Sequence, residues 1–222
     1  VAFSVGVLPL AAELAWGTLR TSAVGPGFAA EEFATARVAL EEGRSGQRVA
    51  LFGNRQRELE QRLLADPGIL DVAATLRPPG DEPWVFVDIE GRDAPTEALN
   101  GRLPGFPARF NQVDPAFFDL YQVPGLAGRQ FKAGDVAAEG SVAGQSSAVI
   151  VNRNFAETIA PGGNALGRRF RYVRTTGSEW LHGPEADHWY EVVGVVGNLP
   201  VSTDARVAYH AAAPGQIHPA HL

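Results

Sequence analysis

The stretch Ser146 to Val173, "SSAVIVNRNFAETIAPGGNALGRRFRYV", constrains the fold more than any other part of the chain. An apolar, β-branched run stops at Asn152, a short amphipathic segment follows, Pro161-Gly162-Gly163 interrupts it, and an arginine-rich run resumes. β-Branched runs suit strands, Asn ahead of a helical period suits an N-cap, Pro stops a helix and Gly accepts positive φ. The expected order is therefore strand, cap, helix, turn, strand. Val149 and Val151 lie in a buried strand, Asn152 is the structural cap, and Phe155 and Ile159 form the helix's apolar side. Pro161, Gly162 and Gly163 are the structural turn, after which Leu166 and Phe170 anchor the next strand. The same turn, beside Asn164, Arg168 and Arg169, has the composition of an anion cradle. No P-loop lysine motif accompanies it, and turn chemistry accounts for the glycines.

Short units of the same kind fill the rest. "EEFATARVAL" (31–40) reads as a strand, Gly43 to Gly46 as a turn, and Asn54 to Gly68 as a helix. Asn54 would cap that helix, Leu59 and Leu63 share a face, Glu58 and Arg62 pair at i, i+4, and Pro67-Gly68 ends it. "DVAATLRP" (71–78) and "WVFVDIEG" (84–91) read as strands, the second with Val85, Val87 and Ile89 on one face and Phe86, Asp88 and Glu90 on the other. Gly91 to Pro107 reads as a loop, followed by a strand through Val113 and a helix capped by Asp114 with Pro115 at its first position. Phe117, Phe118 and Leu120 lie on that helix, and Pro124-Gly125 is a turn. Loops are expected from Lys132 to Gln145 and Thr175 to Asp187, and a long strand from Trp189 into Leu199. The pattern is α+β, without internal repeats.

With 222 residues, 45% of them hydrophobic, the chain can bury a sizeable core. Its formal charge of −6 provides no general attraction for nucleic acid. All of its 19 basic residues except Lys132 are Arg, and it has neither Cys nor Met. A chain opening at Val1 reads as a piece of a longer protein. "VAFSVGVLPLAAELAWGTL" (1–19), with Glu13 its only charge, suits either the trailing part of a membrane helix or a buried core helix.

Candidate chemistry is sparse. His182, Glu185, Asp187 and His188 share one loop without the helical or Cys-paired spacing of a metal site. Asp88 and Glu90 point to one side of a strand, as a hydrolase's carboxylate pair could. Ser146 precedes a strand, where a nucleophile elbow follows one, and lacks the second glycine. Arg168, Arg169, Arg171 and Arg174 form a basic cluster that reads as a strand face neutralised by nearby Asp and Glu. No dinucleotide fingerprint or phosphate loop is present. The expectation is no catalytic, metal or cofactor-binding residue and no cofactor. Two alternatives stay open: a sugar- or anion-binding module using Trp84, Trp180 and Trp189 with the Arg cluster, and a hydrolase using Asp88 and Glu90.

"AVIVNRNFAETIAPGGNALGRRF" followed by "YEVVGVVGNL" resembles the paired signature of the extracytoplasmic core domain of MacB-like permeases, in the FtsX-like ABC transporter permease superfamily. "FNQVDPAFFDLYQVPGLAGRQF" and "GTLRTSAVGPGFAAEEFATARVAL" are similar to the segments that precede it there. The resemblance implies a porter-like α+β subdomain built from both chain ends (21–127 and 202–222), a smaller inserted β-rich, Sabre-like subdomain (128–201), and the end of a membrane helix or its stalk (1–20). It also implies a non-catalytic module outside the membrane that couples cytoplasmic ATP hydrolysis to export or to activation of an outer partner. The implied partners are an ABC ATPase, a second permease half, and an extracytoplasmic protein or lipid. Segments near Phe28 and Ala212 would then lie on one membrane-facing side.

Overall fold

The computed structural model describes residues 32–39, 45–93, 105–136, 146–173, 188–217 and 220–222. The apolar run 1–19, Phe28, Arg174, Trp180, His182, Glu185 and Asp187 lie outside the described residues.

The fold is α+β. Strands are β1 (Arg37–Val38), β2 (Trp84–Ile89), β3 (Phe106–Val113), β4 (Gly125–Gly128), β5 (Ala148–Asn152), β6 (Arg169–Tyr172), β7 (Trp189–Val196), β8 (Val207–Ala211) and β9 (Ala220–His221). Helices are α1 (Ser45–Leu64), α2 (Phe117–Leu120) and α3 (Arg153–Ile159). Seven strands form one sheet in the order β4-β7-β5-β8-β3-β2-β6, and β6 pairs back onto β7. Six strands thus close into a ring, a way of removing free sheet edges. One flank of β7 is shared: Trp189 to Glu191 face β6, and Gly194 to Val196 face β4. The ladders β5–β7 and β3–β8 are parallel and the rest antiparallel.

Each ring strand supplies the interior: Val87 from β2, Phe110 from β3, Val149 and Val151 from β5, Phe170 from β6, Tyr190 from β7 and Ala208 from β8, with Phe155 of α3 packed among them. Ile150 and Tyr209 point to the outer face, where Phe117 and Phe118 of α2 cover them. Strand β5 is therefore buried on both sides, which accounts for its continuous apolar run. Tyr172 hydroxyl and His210 Nε2 lie 2.7 Å apart in the core. Burial there pushes the His210 imidazole down to about 3, so it stays neutral at physiological pH.

Several boundaries differ from the sequence expectations. Helix α1 begins at Ser45, so Asn54 stands in its interior and accepts from Arg57 at 2.6 Å. The expected Gly43–Gly46 turn is overridden at its described end by this helix. Gly53 lets the helix lie against the chain at 214, since a Cβ there would stand 2.7 Å from the Pro214 carbonyl oxygen. Tertiary packing outweighs the poor helix propensity of glycine here. Among the described residues 32–39, only Arg37–Val38 is strand. Residues 71–78 form no strand; Thr75 alone bridges to Val113 and His221. The Gly91–Pro107 loop ends earlier than expected, because Phe106 and Pro107 already pair with β2. Gly125 opens β4, and the turn sits upstream at Gln122, with φ +51°.

Candidate functional site

The polar clusters on the ring's surface follow from strand register. Asp88 on β2 stands opposite Arg171 on β6. Arg171 donates to Asp88 Oδ2 from Nε at 3.2 Å and Nη2 at 3.0 Å, and Arg169 donates to Glu90 Oε2 from Nε at 2.9 Å and to Oε1 from Nη2. Both guanidinium groups lie over the Trp189 ring, at 5.1 Å for Arg171 and 5.8 Å for Arg169. The hydrogen bond from Arg169 holds the Glu90 carboxyl below its ordinary value. A general acid needs the opposite displacement. The two carboxylates and two arginines singled out from sequence therefore meet, and they satisfy one another.

A second cluster lies where the chain enters β2. Trp84 stands opposite Arg109 on β3, whose guanidinium carbon sits 4.5 Å from the centre of the indole. Glu82 is buried; its Oε1 accepts from Gly80 N at 3.0 Å and its Oε2 from Arg109 Nη1 at 3.3 Å. With Arg77, Asp81 and Pro83 these residues line an open cavity of about 330 Å³. Sequence reasoning reached Trp84 but missed Glu82 and Arg109. Their pairing depends on the β2–β3 register, and nothing local marks it.

At the Gly-Gly turn, Asn152 Oδ1 accepts from Phe155 N at 3.1 Å and from Val207 N at 2.9 Å, while its Nδ2 donates to the Ala205 carbonyl. One side chain thus joins the end of β5, the start of α3 and the start of β8. Gly162 has φ +62° and its N–H donates to Glu157 Oε1 at 2.9 Å, whereas Gly163 lacks a positive φ. Ser146 Oγ accepts from Ala148 N at 3.3 Å, and the neighbouring Ser147 Oγ lies 2.9 Å from His188 Nε2. Among the described residues no group of three His, Cys, Asp or Glu side chains could hold a metal ion, and no helix is long and apolar enough to cross a membrane.

The two described ends of the chain meet. Strand β1 runs antiparallel to β9, with Arg37 opposite His221 and Val38 opposite Ala220. Ala36 and Leu222 exchange backbone hydrogen bonds of 2.8 and 2.9 Å. Thr75 bridges His221 on one side and Val113 of β3 on the other.

The chain matches no family model and no curated protein. Among solved structures it is similar to the periplasmic region of MacB from Actinobacillus actinomycetemcomitans, at 12% identity over 87% of this chain and 76% of that one, with a TM-score of 0.47. It is also similar to the extracellular domain of the noncanonic ABC-type transporter YknZ from Gram-positive bacteria, at 15% identity over 80% and 73%, with a TM-score of 0.43. A third likeness is to a domain of a protein assigned as a permease from Porphyromonas gingivalis: 15% identity, 64% of this chain, TM-score 0.37. The chain spans 50% of that domain's length. At these values the likenesses establish no residue correspondence.

Proposed function

We propose that this chain is the extracytoplasmic core domain of an ABC transporter permease subunit, a non-catalytic module that couples cytoplasmic ATP hydrolysis to export or to activation of an outer partner. The observation that carries this reading is the pairing of β1 with β9. A module held by membrane segments at both ends has to bring its ends to one side, and a module hung from a single anchor does not. Here the described ends, 36–38 and 220–222, are hydrogen-bonded to each other, and through Thr75 to β3 of the ring. In this reading, displacement of either end would pass to the ring as a unit. The stretch 128–201, read as the inserted subdomain, is joined to the flanking stretches by the β2–β6, β5–β8 and β4–β7 ladders, which favours motion as one body.

In this reading the partners are an ABC ATPase reached through membrane helices, a second permease half, and an outer protein or lipid. The test is topological. In the full-length protein, single Cys residues replacing Ala34 and Leu222 should both react with a membrane-impermeant maleimide applied to the outside of intact spheroplasts. Protection of either position sinks two-point attachment on the outer side. The chain by itself should give no calorimetric signal with ATP at micromolar concentration, because it has no phosphate-cradling loop with a lysine. Binding would overturn the non-catalytic role.

A further inference from the structure

The junction of the two described chain ends holds a histidine with no acceptor for a second proton. The backbones of His221 and Thr75 exchange two hydrogen bonds of 2.8 Å. On the other flank of β9, Ala36 and Leu222 are the hydrogen-bonded pair, so Arg37 and His221 face each other as a non-hydrogen-bonded pair, the kind whose side chains stand closer. Arg77 and Asp81, from the segment that carries Thr75, are the other charged groups that act on the His221 ring, and Arg77 Nη1 lies 3.6 Å from Asp81 Oδ2. Ala220, the neighbouring residue of β9, belongs instead to an apolar cluster with Phe52 of α1 and Ala74. The Nε2 atom of His221 is buried without a hydrogen-bond partner. A neutral ring tolerates this by carrying its proton on Nδ1 and leaving Nε2 bare. An imidazolium does not, because both nitrogens are then donors, and the Nε2 proton is buried without an acceptor.

We propose that His221 is a pH-sensitive latch: when neutral it lets β9 bridge β1 and Thr75, and when protonated it releases β9 from both. Strands β1 and β9 are two residues each, so little else in the ladder opposes the release. Burial, then Arg77 and Arg37, hold the His221 imidazole below its ordinary value, and Asp81 acts in the opposite direction. A base depressed in this way stabilises the closed junction fully above its ordinary value of 6.5, and that contribution is lost as the pH falls below it, because the open junction takes up the proton more readily. His210 titrates in the same direction, but it lies inside the ring against Tyr172 and Tyr190 and therefore weakens the whole fold, not the junction. The latch stands without the permease reading; within that reading, acidification outside the membrane would uncouple the chain ends from the ring.

The test is amide hydrogen exchange by NMR on the 222-residue chain, extended by a short Gly-Ser tail that moves the terminal carboxylate away from His221. From about pH 7.5 to about pH 5, protection of the Leu222 and Thr75 amides, corrected for intrinsic exchange, should fall about tenfold further in the native chain than in His221→Gln. Val151 and Ala208 in the ring should change alike in the two proteins. Arg37→Gln keeps the histidine and removes one neighbouring cation, and should reduce the excess fall to about threefold. The His221 Cε1 proton resonance should titrate below 6.5. Equal falls in the native chain and His221→Gln, or titration of His221 at or above its ordinary value, would overturn the latch. If His221→Gln already lacks protection at about pH 7.5, Arg37→Gln decides: a reduced fall supports the proposal and an undiminished one overturns it.

Discussion

Glycine plays opposite parts at two places on the ring. At 160–164 the chain turns in the open: Gly162 adopts φ +62°, and an added Cβ would meet nothing within 4 Å. At the crossing of β4 with β7 the limit is space. Gly128 has φ +74°, and a Cβ there would stand 2.3 Å from the Val193 carbonyl oxygen and 2.6 Å from Leu166 Cδ2. Gly194, on the facing strand, would place a Cβ 2.3 Å from the Arg129 carbonyl oxygen. The difference teaches that Gly162 carries a local dihedral alone, whereas Gly128 and Gly194, less conspicuous in the sequence, set how closely two strands approach.

Urea unfolding of single variants can break this comparison. Gly128→Ala combines a left-handed backbone with a clash against backbone atoms, and should cost about 4 kcal/mol. Its amide exchange should accelerate along β4, where the ladder must open. Gly194→Ala has the clash without the dihedral penalty and should cost about 3 kcal/mol. Gly162→Val has the dihedral penalty without the clash and should cost about 2 kcal/mol. Glu157→Ala removes the acceptor of the Gly162 N–H at an exposed position, and a loss of about 0.5 kcal/mol is expected. Gly163→Ala, with its nearest neighbour at 3.6 Å and no positive φ, should leave the midpoint almost unchanged. If Gly162→Val proves as damaging as Gly128→Ala, close approach is not what distinguishes the two regions.

Legibility in the sequence followed the same division. The alternation in "WVFVDI" correctly separated Val87 and Ile89, which are buried, from Asp88, which is half-buried on the other face. The apolar run of β5 read as a buried strand because Val149, Ile150 and Val151 leave no polar face. Helix α1 was placed too late, since Gly46 and Gly53 look like breakers until the packing against Pro214 is known. In the polar clusters, the Arg-rich run of β6 was legible as a neutralised face. The pairing of Glu82 with Arg109 was not, because neither residue has a local signal and burial alone makes the contact matter.

By itself the sequence determined the local order of strand, cap, helix and turn around Asn152 and Gly162, along with the mixed α+β character. Those features arise from terms between near neighbours: side-chain period, capping, and the chirality of the backbone. Only the tertiary structure decided that β6 closes onto β7, that β4 takes the remainder of the same flank, and that β1 meets β9. These outcomes depend on register between residues far apart in the chain, where a shift of one position turns every side chain to the opposite face. A single sequence carries no local term that fixes such a register.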